Sequence, residues 1–206
     1  SVGNPILQEI STAGFKVNED AGQCEKSFPA VTMDGSGNFV VAWQDERDAG
    51  QSIYLQRYNS SGTPTGSNFR ATPDTETGSI PRSYQTNPSL GGDAGSNFIV
   101  VWEDGRDSPE TIYGQRYQAN GTATGDNFMV NDGSGWAYHP DIAVAPDGSF
   151  VVVWQDDRDN DLGIYFQRYD SNGNPQGVNQ KVNDSLSNGY DCFAPAVAAD
   201  SDGNFV

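Results

Sequence analysis

Sulfur is scarce in this chain: two cysteines and two methionines among 206 residues. Disulfides therefore cannot be what holds it together. There is one histidine, His139, followed directly by Pro140. With no serine or cysteine nucleophile motif around it, a catalytic triad has nothing to rest on, and it reads as a loop residue. Positive charge is also short, with 11 Lys and Arg against 28 Asp and Glu and a net charge of −17. Such a chain repels phosphate backbones and anionic lipid heads, which excludes nucleic acid as a natural partner. No apolar stretch approaches the roughly 18 residues that a membrane-crossing helix needs, so membrane insertion is not expected.

What the chain has in quantity is turn formers and aromatics: 24 Gly, 11 Pro, 4 Trp, 9 Tyr and 10 Phe. Aromatics favour strands and Gly and Pro punctuate them. The segment FVVAWQDERD at Phe39 returns as FIVVWEDGRD at Phe98 and FVVVWQDDRD at Phe150. Extended without gaps, each copy is a cassette of 44 residues, at 29–72, 88–131 and 140–183, and a partial copy covers 195–206. In all four a proline stands ten positions before the phenylalanine (Pro29, Pro88, Pro140, Pro195). Spacers of 15, 8 and 11 residues separate the cassettes and read as surface loops.

Within a cassette the apolar period is short and is broken by turns every eight to twelve residues, which predicts four strands. In the first copy these are residues 29–33, 39–43, 53–58 and about 68–72. The second strand is apolar on both faces, with Phe39, Val41 and Trp43 on one side and Val40 and Ala42 on the other, so both sides must be covered. Four antiparallel strands per repeat with a doubly covered second strand describe the blade of a β-propeller. The fold expected is all-β, a single propeller domain or fragment over residues 1–206, with a β-sandwich as the alternative. Residues 1–18 read as the end of a preceding blade, because Phe15-Lys16-Val17-Asn18 matches Phe128-Met129-Val130-Asn131. Both ends fall in mid-blade, which leaves three arrangements open: a closed four-bladed ring, a window from a longer protein, or strand exchange between copies into a fibre.

The repeated Trp-x-Asp-x-Arg-Asp segment supplies Asp45, Arg47 and Asp48, then Asp104, Arg106 and Asp107, then Asp156, Arg158 and Asp159. Paired carboxylates of this kind serve glycosidases. Catalysis, however, needs an asymmetric pair with separated pKa values at one place. Identical repetition points instead to scaffold, with the aspartates capping a four-residue strand-to-strand loop and Trp43, Trp102 and Trp154 in the core. Arg57, Arg116 and Arg168 share a strand face with Ile53, Ile112 and Ile164, so they are expected part-buried and paired with Asp45, Asp104 and Asp156. The other reading is an arginine cluster that binds sugar.

No cofactor is expected, but Asp200, Asp202, Asp170 and Asn172 place oxygens at alternate positions of two turns, as calcium loops do. Hairpin turns select the same residues. Cys24 and Cys192 occupy matching spacers, and a disulfide between them would close a four-bladed ring. Asn59, Asn120 and Asn183 begin glycosylation sequons, and Asp184-Ser185-Leu186 resembles a short O-glycosylation motif, which makes Ser185 a further candidate.

The cassette FVVVWQDDRD followed by IYFQRYDSNGNPQG resembles the propeller repeats of large secreted and cell-surface bacterial proteins of the adhesin-like kind. Resemblance to sialidase-type propellers is at the level of fold. The first resemblance implies an extracellular or cell-surface location, no catalytic residues, and a structural or interaction role. Its partners would be other copies of the chain, other surface proteins, or glycans held by the spacer loops. The alternative is a glycan-acting, sialidase-like hydrolase whose site lies in non-repeated residues, above all 73–87 and Trp136, the one tryptophan outside the repeated position.

Overall fold

The alternation of apolar residues and turns resolves, in the computed structural model, into strands only. It describes residues 14–19, 22, 24–47, 50–71, 84–159, 162–183 and 192–206. The first cassette forms β1 (Lys26–Met33), β2 (Phe39–Asp45), β3 (Ser52–Tyr58) and β4 (Phe69–Arg70). The second forms β5 (Gln85–Gly92), β6 (Phe98–Asp104), β7 (Thr111–Tyr117) and β8 (Ala123–Met129). The third forms β9 (Ala137–Val144), β10 (Phe150–Asp156), β11 (Gly163–Tyr169) and β12 (Gln180–Lys181). Each cassette is one antiparallel sheet with its strands in chain order, and the first strands β1, β5 and β9 run beside one another from sheet to sheet. The architecture is all-β and of propeller type.

The first strand starts three residues before the proline at which it was expected. The reason is a bulge: the register shifts between Ser27 and Ala30, and Phe28 sits at φ 49°. Asn87, His139 and Ala194, each preceding the equivalent proline, have φ 49°, 49° and 50°. A proline lacks the N–H that a ladder needs, and the bulge lets it stand inside a strand. The loop after β2 also differs from expectation, with six residues (46–51) rather than four. Its arginine turns back onto the aspartate that ends β2 and lies over a tyrosine of β3.

Two apolar layers separate the sheets. Val40, Ala42, Ile53 and Leu55 of the first sheet meet Leu90, Phe98, Val100 and Trp102 of the second. Ile99, Val101, Ile112 and Val130 meet Ile142, Phe150, Val152 and Trp154 of the third. A smaller layer joins Ala143, Val151 and Val153 to Val197 and Ala199, where residues 195–206 form an Ala199–Phe205 bridge. Trp43, Trp102 and Trp154 are all buried. One contact recurs at every junction. Tyr117 donates to Ala71 O at 3.0 Å and lies against Phe69, and Tyr169 donates to Val130 O at 3.5 Å and lies against Phe128. Tyr58 treats Val17 O and Phe15 in the same way.

Candidate functional site

Antiparallel order gives each sheet two ends. One carries the β-turns after the first and third strands; the other carries the six-residue loop and the spacer. At the loop end the buried tryptophan Nε1–H donates to the aspartate two residues on, at 2.8, 2.7 and 2.9 Å for Asp45, Asp104 and Asp156. That aspartate accepts the backbone N–H of Arg47, Arg106 or Arg158 and pairs with its guanidinium at 2.6 Å. Each guanidinium lies 4.0–4.3 Å from a tyrosine ring centroid, Tyr54, Tyr113 or Tyr165. Burial pushes the Asp45 carboxyl up, but bonds from Arg47 and Trp43 outweigh it and hold it below the ordinary carboxylate range. Tyr113 and Tyr165 donate to Asp107 and Asp159; Asp48 lies outside the described residues.

The expected partners of the other arginines are corrected. Asp45 pairs across the ladder with Ser52, whereas Arg57 pairs with Val40, five residue pairs away and so about 17 Å along the strand. Arg57 instead reaches the carbonyl of Ala119 on the next sheet at 2.8 Å. Arg116 donates to Ser171 O at 2.7 Å and to Asn172 O, and Arg168 lies over the Phe205 ring at 5.4 Å. These arginines clamp the turn end, sheet to sheet.

The calcium candidates are occupied by their own turns. Asp170 accepts the amides of Asn172 and Asn174 on one oxygen and the Asn174 side chain on the other, and Asp200 does the same with Asp202 and Asn204. Asp34 and Asp93 repeat the pattern. Among the described residues no three His, Cys, Asp or Glu side chains come together as a metal would require. The disulfide is corrected: Cys24 and Cys192 are free thiols. Cys24 precedes the first sheet, while Cys192 is bonded to Leu162 and Gln155 of the third. Asn59 and Asn120 stand exposed in turns, but the Asn183 oxygen accepts Ile164 N at 2.7 Å and is committed to its sheet. Ser185 lies outside the described residues, as do residues 73–83 of the long spacer.

Asymmetry appears at one junction, the loop end between the second and third sheets. The backbone frame is the same at each junction. Gln85 N donates to Gln51 O, Ala137 N to Glu110 O and Cys192 N to Leu162 O, at 3.1, 3.0 and 2.9 Å. The side chains on that frame differ. Where the first sheet has Gln44 and Gln51 and the third has Gln155 and Leu162, the second has Glu103 and Glu110. Glu103 is buried and accepts Thr86 Oγ1, Asn87 Nδ2 and His139 N at 2.8, 2.8 and 2.6 Å. Burial and then the Glu103 charge push the Glu110 carboxyl up. The Tyr138 phenol is pushed up by burial and then by Glu110, Asp157 and Glu103, so three carboxylates bear on it.

Trp136, 42% exposed, stacks on Tyr138 at 6.4 Å between centroids and 11° between planes. The Trp136 backbone N–H donates to Asp157 Oδ1 at 2.8 Å and its carbonyl accepts Asp157 N at 3.2 Å. An open groove of about 570 Å³ runs past it, lined by Ser108, Pro109, Ser134, Gly135, Asp157 and Arg158. Trp136 was singled out by the sequence. Glu103, Glu110 and Tyr138 were not, although setting the three cassettes under one another shows acids where the others have amides or leucine.

No protein-family model matches the sequence, and no curated protein matches it. Solved structures do. A candidate glycoside hydrolase from Bacteroides ovatus superposes with a TM-score of 0.50 at 10% identity, covering 74% of this chain and 48% of that one. The endo-arabinase from Bacteroides thetaiotaomicron gives 0.48 at 15% identity over 77% and 63%, and a candidate TolB from Agrobacterium tumefaciens 0.44 at 22% over 71% and 43%. This chain thus spans about half the length of the structures it resembles. The likeness supports the propeller and corrects the expectation of a non-enzymatic module without catalytic residues. The structures that superpose on it are mostly described as glycoside hydrolases. At these identities what is shared is the fold, and the chemistry has to be argued from the residues of this chain.

Proposed function

We propose that the chain acts on glycans, as a hydrolase whose site is the groove between the second and third sheets. One observation carries the reading. On a frame repeated without change, a pair of acids and an exposed Trp–Tyr stack occur together at a single junction. Glycoside hydrolysis needs one carboxylic acid to protonate the leaving oxygen and a second, ionised carboxylate to activate water or attack carbon. Glu110, next in the chain to Pro109 of the groove wall and with its proton held by burial and by Glu103, is the acid, and Asp157 in the groove wall is the carboxylate. Trp136 offers an apolar face to a sugar ring, with Tyr138 behind it. Glu103 is a positioning residue: buried and committed to Thr86, Asn87 and His139, it acts through its charge on Glu110. The many carboxylates favour uncharged sugars over acidic ones, against the sialidase-like form of the idea. An extracellular location goes with this reading, since polymeric glycans lie outside cells.

The test is turnover on a panel of neutral oligosaccharides, with Glu110→Gln and Trp136→Ala beside the parent. Release of reducing ends by the parent, lost in Glu110→Gln at unchanged melting temperature, supports the assignment. Turnover that survives Glu110→Gln places the acid elsewhere, and no turnover on any neutral glycan removes the reading.

A further inference from the structure

The opposite end of the sheets carries a second repeated feature that hydrolysis does not use. Between the first and second sheets a groove of about 270 Å³ is lined by Asp34, Asn38, Arg57, Tyr58, Thr65 and Ala119. Between the second and third a groove of about 340 Å³ is lined by Asp93, Asn97, Arg116, Tyr117, Thr124 and Ser171. These six residues occupy the same cassette positions in both. In each groove the arginine is held from behind by carbonyls of the next sheet's turn, Ala119 O in one and Ser171 O and Asn172 O in the other. The turns come close enough to do this because of Gly121 and Gly173, both at φ +84°. A Cβ there would stand 2.8 Å from Arg57 Nε and 2.6 Å from Arg116 Nη1.

The guanidinium is thereby fixed in place with donors to spare. Burial alone pulls Arg57 down, and among the described residues no carboxylate lies within ion-pair distance of Arg57 or Arg116. Facing it are a threonine hydroxyl and a turn aspartate: Asp34, whose second oxygen accepts Asn38 and Ser96, or Asp93, whose second oxygen accepts Asn97. A rigid donor beside a threonine hydroxyl, which can donate or accept, suits a group that both donates and accepts through neighbouring oxygens. A carboxylated or phosphorylated ligand would meet those aspartates and a net charge of −17.

We infer that these two grooves are like binding sites for neutral sugar units, one at each of these two sheet junctions, on the face opposite the Glu110 groove. The third junction lacks the equipment. The Asp and Asn positions there are Ala145 and Ser149, Phe205 lies over Arg168, and about 40 Å³ remains. Among the described residues the stoichiometry is therefore two. Two like sites on one rigid frame would hold a glycan chain by avidity without any change in the groove that cleaves it.

The inference is tested by titrating the ¹⁵N-labelled chain with the methyl glycosides of galactose, mannose, glucose and arabinose, with glucuronate as the charged control, while following backbone amide shifts. A neutral glycoside should move amides around Arg57 and Thr65 and around Arg116 and Thr124, each set following a saturable binding constant. That constant should be in the millimolar range proper to a ligand this small, and amides near Arg168 should stay still. Thr65→Val and Thr124→Val, exposed changes that leave the sheets intact, should each weaken one site about tenfold and leave the other untouched. Shifts confined to the Trp136 groove, shifts with glucuronate alone, or none with any glycoside would overturn the inference. All three outcomes are independent of whether the chain hydrolyses anything.

Discussion

The junction between the first and second sheets and the junction between the second and third share a backbone and diverge in chemistry. At the loop end of the first, Gln44, Gln51, Tyr84, Thr86 and Asn87 are all neutral; at the second the same positions are Glu103, Glu110, Trp136, Tyr138 and His139. The frame beneath is the same, down to the bond from Gly105 N to Tyr84 O and its counterpart from Asp157 N to Trp136 O. Identical residues at each junction are therefore explained by packing, and residues that depart from the repeat have to be explained by something local. The difference also shows why the Trp-Asp-Arg motif, the loudest signal in the chain, is the wrong place to look for chemistry. Its carboxylates are saturated by an indole, an amide and a guanidinium at every copy.

If frame and departures are separable, the largest effect should come from the frame. Trp102→Ala removes a fully buried indole from the layer between the first two sheets and leaves Asp104 without its indole donor. A loss of about 3–5 kcal/mol in denaturant unfolding is expected, against a change within about 0.5 kcal/mol for the exposed Trp136→Ala. Equal losses at the two positions would break the distinction.

Asp104→Ala comes next, because it takes the ion pair from Arg106 and the buried acceptor from the Trp102 indole and the Gln85 amide together. Its cost should be about 3 kcal/mol, with Asp202→Ala near zero. The pH dependence has a definite sign. Asp45 and Asp34, like Asp132, are held below their ordinary values in the fold. Their stabilisation is complete above the unfolded carboxylate pKa of about 4 and drains away as pH falls through the folded values. Thermal melts should fall steeply as the pH drops below about 4. A protein equally stable at pH 2 would show that these bonds are decorative.

The fold was legible because repetition reports it several times over: a strand pattern that is ambiguous once is unambiguous in three aligned copies. The bulge was not legible, since a proline reads as a strand start unless the positive φ before it is known. The partners of Arg57, Arg116 and Arg168 were misread for a related reason. Sequence proximity to the aspartates suggested a pair, and the antiparallel ladder places them at opposite ends of the sheet. Glu103 and Glu110 were legible in principle, as acids in columns of glutamine and leucine, but attention to what repeats hides what does not. What no sequence shows is that burial and a neighbouring charge act together on Glu110, which depends on two strands meeting.

The comparison bears next on turnover. Glu110→Gln gives the second junction the side chain that the first carries at position 51. It should lower kcat by about 100-fold or more on whatever neutral glycan the parent cleaves, with the melting temperature unchanged. Trp136→Ala should act mainly on KM, as loss of a binding face does.

The smallest effect should be the most discriminating. Glu103→Gln converts the second junction to the chemistry of the third, where the Gln155 oxygen accepts Ala194 N at 3.1 Å just as Glu103 accepts His139 N. Since the amide makes the same bond, unfolding free energy should move by less than about 1 kcal/mol. The charge, however, is gone, and with it the second cause of the upward shift at Glu110. An acid whose folded pKa is raised serves as proton donor up to that pKa and loses activity above it, so the basic limb of the pH–kcat profile should move to lower pH in Glu103→Gln. Stability follows the same sign. The parent loses stability as pH rises from the unfolded to the raised folded pKa of Glu110, because the folded state binds more protons there, and the variant should lose less over that interval. A basic limb that stays in place while the fold is intact would mean that Glu103 is only the bulge-closing residue its repeat position suggests, and that the two junctions differ in sequence without differing in function.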